Sequence, residues 1–149
     1  MRILFVDAGN YCRSPAAEAV AKARAAATRL PVTVEFASAG LKDKHVDQPP
    51  DPRTVAACAA RGYRLDGFLC REIAPDDFAR ADLILAMDRD NLAQLVARKP
   101  PGAKAEIALF LGDREVPDPY YGAADGFEVM MTEIEAGVAA LLARLQRAS

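Results

Sequence analysis

No stretch of this chain approaches the run of about 18 apolar residues that a membrane-spanning helix needs, and no block of basic residues interrupts it. The first absence excludes a helical membrane protein. The second, with 19 basic against 21 acidic residues and a net charge of −2, argues against nucleic-acid binding, which rests on clustered Lys and Arg neutralising phosphates. Cysteine is scarce: Cys12, Cys58 and Cys70 form an odd set without metal-ligand spacing, so neither a disulfide framework nor a zinc cluster organises the chain. Histidine occurs once, at His45, in a polar loop beside Lys44, and reads as a solvated surface residue rather than a catalytic base. Internal repeats, low-complexity tracts and domain linkers are absent as well. Met1-Arg2 leads straight into a strand-like run, without the features of a secretory signal. Together with free thiols this predicts a cytoplasmic protein.

What is present is ordinary globular composition, 149 residues that are 52% hydrophobic and 27% charged. That length predicts one domain, residues 1–149, burying roughly 68–70% of its unfolded surface. Four apolar runs read as strands: Ile3 to Val6, Thr33 to Ala37, Leu83 to Met87, and Glu106 to about Leu111. Helical patterns alternate with them, which predicts a four-stranded parallel sheet between two helical layers, an α/β/α architecture. Near-continuous apolar strands fit a sheet covered on both faces. Helix punctuation is clear: Ser14-Pro15 and Asp51-Pro52 read as caps with proline in the first turn, Gly62 as a stop, and Asp88 as a further cap. Met130 and Met131 fall on the core-facing stripe of a last helix that runs from Phe127 to Leu145.

The most informative segment is Ile3-Leu4-Phe5-Val6-Asp7-Ala8-Gly9-Asn10-Tyr11-Cys12-Arg13-Ser14-Pro15. A strand ends in a Gly/Asn loop that feeds an Ala-rich helix. Such a unit turns successive backbone N–H groups and a helix N-terminus toward one point, an anion site beyond the carboxyl end of a parallel strand. The N–H groups of Ala8, Gly9, Asn10, Tyr11, Cys12 and Arg13 are the candidate donors, and Arg13 adds a planar fork that matches phosphate. Gly9 allows close backbone approach and Asn10 suits a left-handed turn.

This spacing resembles the Cys-x5-Arg-Ser phosphate loop of the low-molecular-weight protein-tyrosine phosphatases, with Asp7 where that family carries its nucleophilic cysteine. Val116-Pro117-Asp118-Pro119-Tyr120-Tyr121-Gly122 resembles the family's Asp-Pro-Tyr-Tyr loop. Further likeness runs through Ser38-Ala39-Gly40, Pro49-Pro50-Asp51, Asp76-Asp77-Phe78 and Asp82 to Asp88. The resemblance implies that Asp118 is the general acid and that the Ser14 hydroxyl supports the nucleophile. It also implies that Lys44, Tyr120 and Tyr121 form the pocket wall, with Lys44 at a position often aromatic in the family. Phe68 falls where bacterial members often carry a histidine bonded to the phosphate loop. Cys12 matches a second family cysteine that can protect the nucleophile through a disulfide; with Asp7 present that partner is gone, and Cys12 reads as a packing thiol. The implied partner is a phosphotyrosine protein or a small phosphate oxyanion, and Tyr120-Tyr121 form an exposed aromatic patch suited to a weak homodimer.

Asp7 changes the expected chemistry. A carboxylate is a hard oxygen nucleophile, and enzymes that form aspartyl phosphates recruit Mg²⁺. The residues around Asp7 are neutral, with Arg13 the first charge in the loop that follows it, so no metal or other cofactor is expected. A carboxylate held among the loop N–H groups competes with phosphate; two unit charges about 4 Å apart repel by about 4 kcal/mol at an effective dielectric of about 20. Two readings stay open: a phosphatase fold whose chemistry is lost or severely impaired, or an active phosphatase whose natural residue 7 is cysteine and has been substituted. A phosphoaccepting signalling domain would want an acidic pair for Mg²⁺, and arsenate reduction would want a thiol at residue 7; neither is present.

Overall fold

The computed structural model describes residues 1–120, 122 and 124–147. Among these, the order is β1 (Arg2–Asp7), α1 (Arg13–Ala26), β2 (Glu35–Gly40), α2 (Pro52–Ala60), α3 (Pro75–Arg80), β3 (Leu83–Ala86), α4 (Arg89–Arg98), β4 (Glu106–Leu109) and α5 (Gly126–Arg147). The strands form one parallel sheet in the order β2-β1-β3-β4. Alternation along β1 divides the core: Ile3 and Phe5 pack with α1, α2 and α5, whereas Leu4 and Val6 pack with Phe78 of α3 and Leu95 of α4. This is the expected three-layer α/β/α architecture.

The chain leaves β1 toward β2 on one side and returns through β3 on the other, so the sheet's switch point lies at the carboxyl end of β1. Asp7 stands there, level with Gly40 across the β1–β2 ladder. Two differences from the sequence reading concern this edge. β2 extends through Ser38-Ala39-Gly40, because β1 offers ladder partners as far as Asp7. Ser14 is not the cap of α1: the helix begins at Arg13 with Cys12 in the cap position. Asp51 and Asp88 cap α2 and α4 as read, accepting from Arg53 N at 2.9 Å and Asn91 N at 2.7 Å.

Gly40 shows how closely the strand edge supports the loop. A Cβ built there would lie 2.5 Å from the Gly9 carbonyl carbon and 2.7 Å from Asn10 N, both backbone atoms without room to yield. Replacing Gly40 with Ala is expected to lower stability by about 1–3 kcal/mol through overpacking, measured by urea unfolding; an unchanged midpoint would contradict the contact. Asp51 is buried, and the Arg53 side chain bonded to it holds its carboxyl below the usual carboxylate range. Its stabilising contribution is therefore present above that range and is lost as pH falls through the depressed value. Asp51→Ala is expected to cost about 0.5–2 kcal/mol at neutral pH, a deficit that narrows on acidification; a constant deficit across pH would show that the charge is not involved.

Candidate active site

Asp7 is 3% exposed, and its carboxylate is held by the loop that follows it. Oδ1 accepts from Asn10 N at 2.6 Å, and Oδ2 accepts from Ser14 N at 3.0 Å. Between these bonds the chain turns at Asn10, whose φ of 57° lies in the left-handed region. The fully buried Asn10 side chain fixes that turn. Its Nδ2 donates to Ser14 Oγ at 2.9 Å and to Ser38 Oγ at 3.0 Å, and its Oδ1 accepts from Arg71 N at 2.9 Å. Ser38 donates onward to Glu18 Oε1 at 2.7 Å. An ionised carboxylate only accepts, so Ser38 spends its proton on Glu18 and receives from Asn10, which sets the amide's orientation. Every polar atom of the Asn10 amide is engaged without Phe68.

Arg13 is buried, and its guanidinium turns toward the ends of β3 and β4. One terminal nitrogen donates to Asp88 Oδ2 at 2.8 Å and to the Val116 carbonyl at 2.9 Å; the other lies 3.6 Å from Asp118 Oδ2. The sequence reading set Arg13 beside Asp7. Instead its charge is matched by Asp88, a residue read only as a helix cap, which serves both purposes through different oxygens. Val116 N in turn donates to the Met87 carbonyl at 2.8 Å, tying the Asp118 loop to the sheet edge.

Asp7, Arg13 and Asp118 border a cavity of about 290 Å³. Ala8, Gly9, Tyr11 and Cys12, between Asp7 and Arg13, also line it, and Lys42, Lys44, His45 and Tyr120 complete the lining. His45 is therefore not a freely solvated residue: its ring stacks on Tyr11 with centroids 3.6 Å apart and planes 3° from parallel. A Cβ on Gly9 would meet its ring at 3.2 Å, so glycine leaves it room. Tyr120 is half-buried rather than part of an exposed patch; it lies 6.0 Å from Tyr11, with Lys44 Nζ 5.6 Å and the Arg53 guanidinium 5.5 Å from its ring centroid. Tyr121 lies outside the described residues. Sequence reasoning missed Lys42 and His45 in the lining and Asp88, Val116, Glu18 and Arg71 behind it. No local pattern joins residues that far apart; only the Ser38-Ala39-Gly40 signature hinted at one support.

The N–H groups of Gly9, Tyr11, Cys12 and Arg13 meet no acceptor among the described residues. They can hold an oxyanion, reinforced by the N-terminal end of α1. Burial pushes the Cys12 thiol up to about 12, and those of Cys58 and Cys70 to about 11. All three stay protonated near neutral pH, so none stands in as a thiolate nucleophile.

Comparison with known proteins agrees with this geometry. The sequence model for low molecular weight phosphotyrosine protein phosphatase matches residues 2–149. A low molecular weight protein-tyrosine-phosphatase of Streptomyces coelicolor is 41% identical over 154 residues, spanning 97% of this chain and 93% of the relative. A protein tyrosine phosphatase from Entamoeba histolytica, solved with Hepes in its active site, superposes with a TM-score of 0.90 at 37% identity, covering 99% of this chain and 97% of the other. A Drosophila arginine phosphatase superposes with a TM-score of 0.91 at 31% identity over 100% of both chains. The parallel sheet, the phosphate loop at its switch point and these likenesses together show that the chain belongs to the low molecular weight phosphotyrosine protein phosphatase family.

Proposed function

We propose that this protein keeps the family's phosphate loop as an oxyanion-binding site and has lost, or nearly lost, phosphotyrosine hydrolysis. One observation carries the reading: at the end of β1, where the family's nucleophile belongs, a buried carboxylate is bonded to Asn10 N and Ser14 N. A thiolate attacks phosphorus as a soft nucleophile with a good leaving sulfur. A carboxylate at the same point is a poorer nucleophile, and its charge opposes that of an arriving dianion. Arg13 offsets little of that charge, because its own partner is Asp88.

In this reading the Ala8 to Arg13 segment cradles the oxyanion, with the Arg13 fork held ready by Asp88 and the Val116 carbonyl. Ser14 supports the loop through its backbone N–H and its bond from Asn10. Asp118 occupies the place of the acid that would protonate a leaving phenol, and Lys44 and Tyr120 flank the entrance. The natural ligand is a phosphorylated tyrosine on a protein or a small phosphate oxyanion, met in the cytoplasm.

A second reading, an active phosphatase whose natural residue 7 is cysteine, draws on the same surroundings, because Asn10, Arg13, Ser14 and Asp118 are the residue types that chemistry uses. Hydrolysis of a small aryl phosphate tests both. The unaltered chain is expected to stay at background, whereas Asp7→Cys is expected to turn over. Adding Asp118→Ala to that variant is expected to lower kcat by about 10²–10⁴, the usual contribution of a positioned proton donor. Steady turnover by the unaltered chain would contradict the proposal. A silent Asp7→Cys variant would show that the lesion is not confined to residue 7.

A further inference from the structure

We infer that the pocket prefers an oxyanion that carries a proton, inorganic phosphate as HPO₄²⁻, over proton-free oxyanions of the same charge. This deepens, and rests on, the reading of the loop as an oxyanion binder. The lone pairs of Asp7 set this preference. A carboxylate offers about four acceptor positions, and the loop fills one on each oxygen, through Asn10 N and Ser14 N. The remaining positions belong to a residue that lines the cavity. An oxyanion seated on the N–H groups of Gly9, Tyr11, Cys12 and Arg13 brings its own oxygens against that carboxylate.

Two acceptors in contact without a proton between them repel. A P–OH group turns the same contact into a charge-assisted hydrogen bond, with Asp7 accepting and the proton remaining on phosphate. The free N–H groups donate to the oxyanion oxygens and Asp7 accepts, so the loop and Asp7 together ask for a ligand with several acceptors and one donor. Near pH 8 HPO₄²⁻ fits that description. Sulfate has the same charge and tetrahedral shape but no proton, and an aryl phosphate, whose second ionisation lies near pH about 6, is likewise a bare dianion. Arg13, Lys42 and Lys44 around the cavity, with Asp88 behind Arg13, act on phosphate and sulfate alike, and Asp118, the second carboxylate of the lining, is separated from Asp7 by substituting Asp7 alone. The comparison therefore isolates the proton.

Calorimetric titration of the unaltered protein at pH 8 with phosphate and with sulfate, and competition by phenyl phosphate, tests this. Sites built to hydrogen-bond one ligand group reject analogues lacking it by large factors; phosphate is expected to bind about a hundredfold more tightly than the other two. Asp7→Asn, whose Nδ2 can donate, is expected to raise sulfate affinity and reduce the preference to within about threefold. Equal binding of phosphate and sulfate by the unaltered protein would overturn the inference while leaving the loop an oxyanion binder. Preference retained in full by Asp7→Asn would assign the selectivity elsewhere and overturn it too. Absence of binding by every anion at millimolar concentration would overturn the binding reading itself, and this inference with it.

Discussion

A single buried carboxamide, that of Asn10, ties its own loop to three other parts of the chain. Its amide reaches the start of α1 through Ser14, the end of β2 through Ser38, and the 70–73 segment through the Arg71 N–H. The residue itself sits in a left-handed conformation that a non-glycine residue adopts only with compensation. Leaving any of these buried groups unpaired costs about 1–3 kcal/mol, so the loop has one low-energy shape. Because the Asn10 backbone is fixed in this way, its N–H points at residue 7 whatever that residue is. Gly40 closes the arrangement from the sheet side, where only the absence of a side chain lets β2 lie against the loop.

The loop is therefore a rigid set of donors, and the residue at its centre decides what those donors are used for. With Asp7 there, the Asn10 and Ser14 amides are engaged by the protein itself. The carboxylate adds a negative charge at the floor of a cavity whose other carboxylate, Asp118, lies near Arg13. Lysines and a stacked Tyr11–His45 pair share the lining with Asp7, Asp118 and the loop that follows β1. Such a site distinguishes ligands by where they carry protons as well as by charge.

Much of this was legible in the sequence because it depends on local pattern. Apolar runs of strand length, proline next to capping aspartates and the Gly9-Asn10 turn gave the layer order and the turn that follows β1 without any long-range information. The strand edges were less legible: the apolar run ends at Ala37, yet Ser38-Ala39-Gly40 remains in the sheet because β1 supplies partners as far as Asp7. The supports of the site were hardly legible at all. Arg13 finds Asp88 and Val116 across 75 and 103 positions of sequence, and the Tyr11–His45 stack joins two loops that only the closed sheet brings together. A lone histidine between lysine and valine carries no mark of such a role.

The loop divides its amides between Asp7 and a ligand. Residue-resolved amide hydrogen exchange, with and without phosphate, reads that division directly. The N–H groups of Asn10 and Ser14 should be protected in the free protein, and phosphate should slow exchange at Gly9, Tyr11, Cys12 and Arg13. Rapid exchange at Asn10 and Ser14 in the free protein, or no slowing at the other four at saturating phosphate, would contradict it.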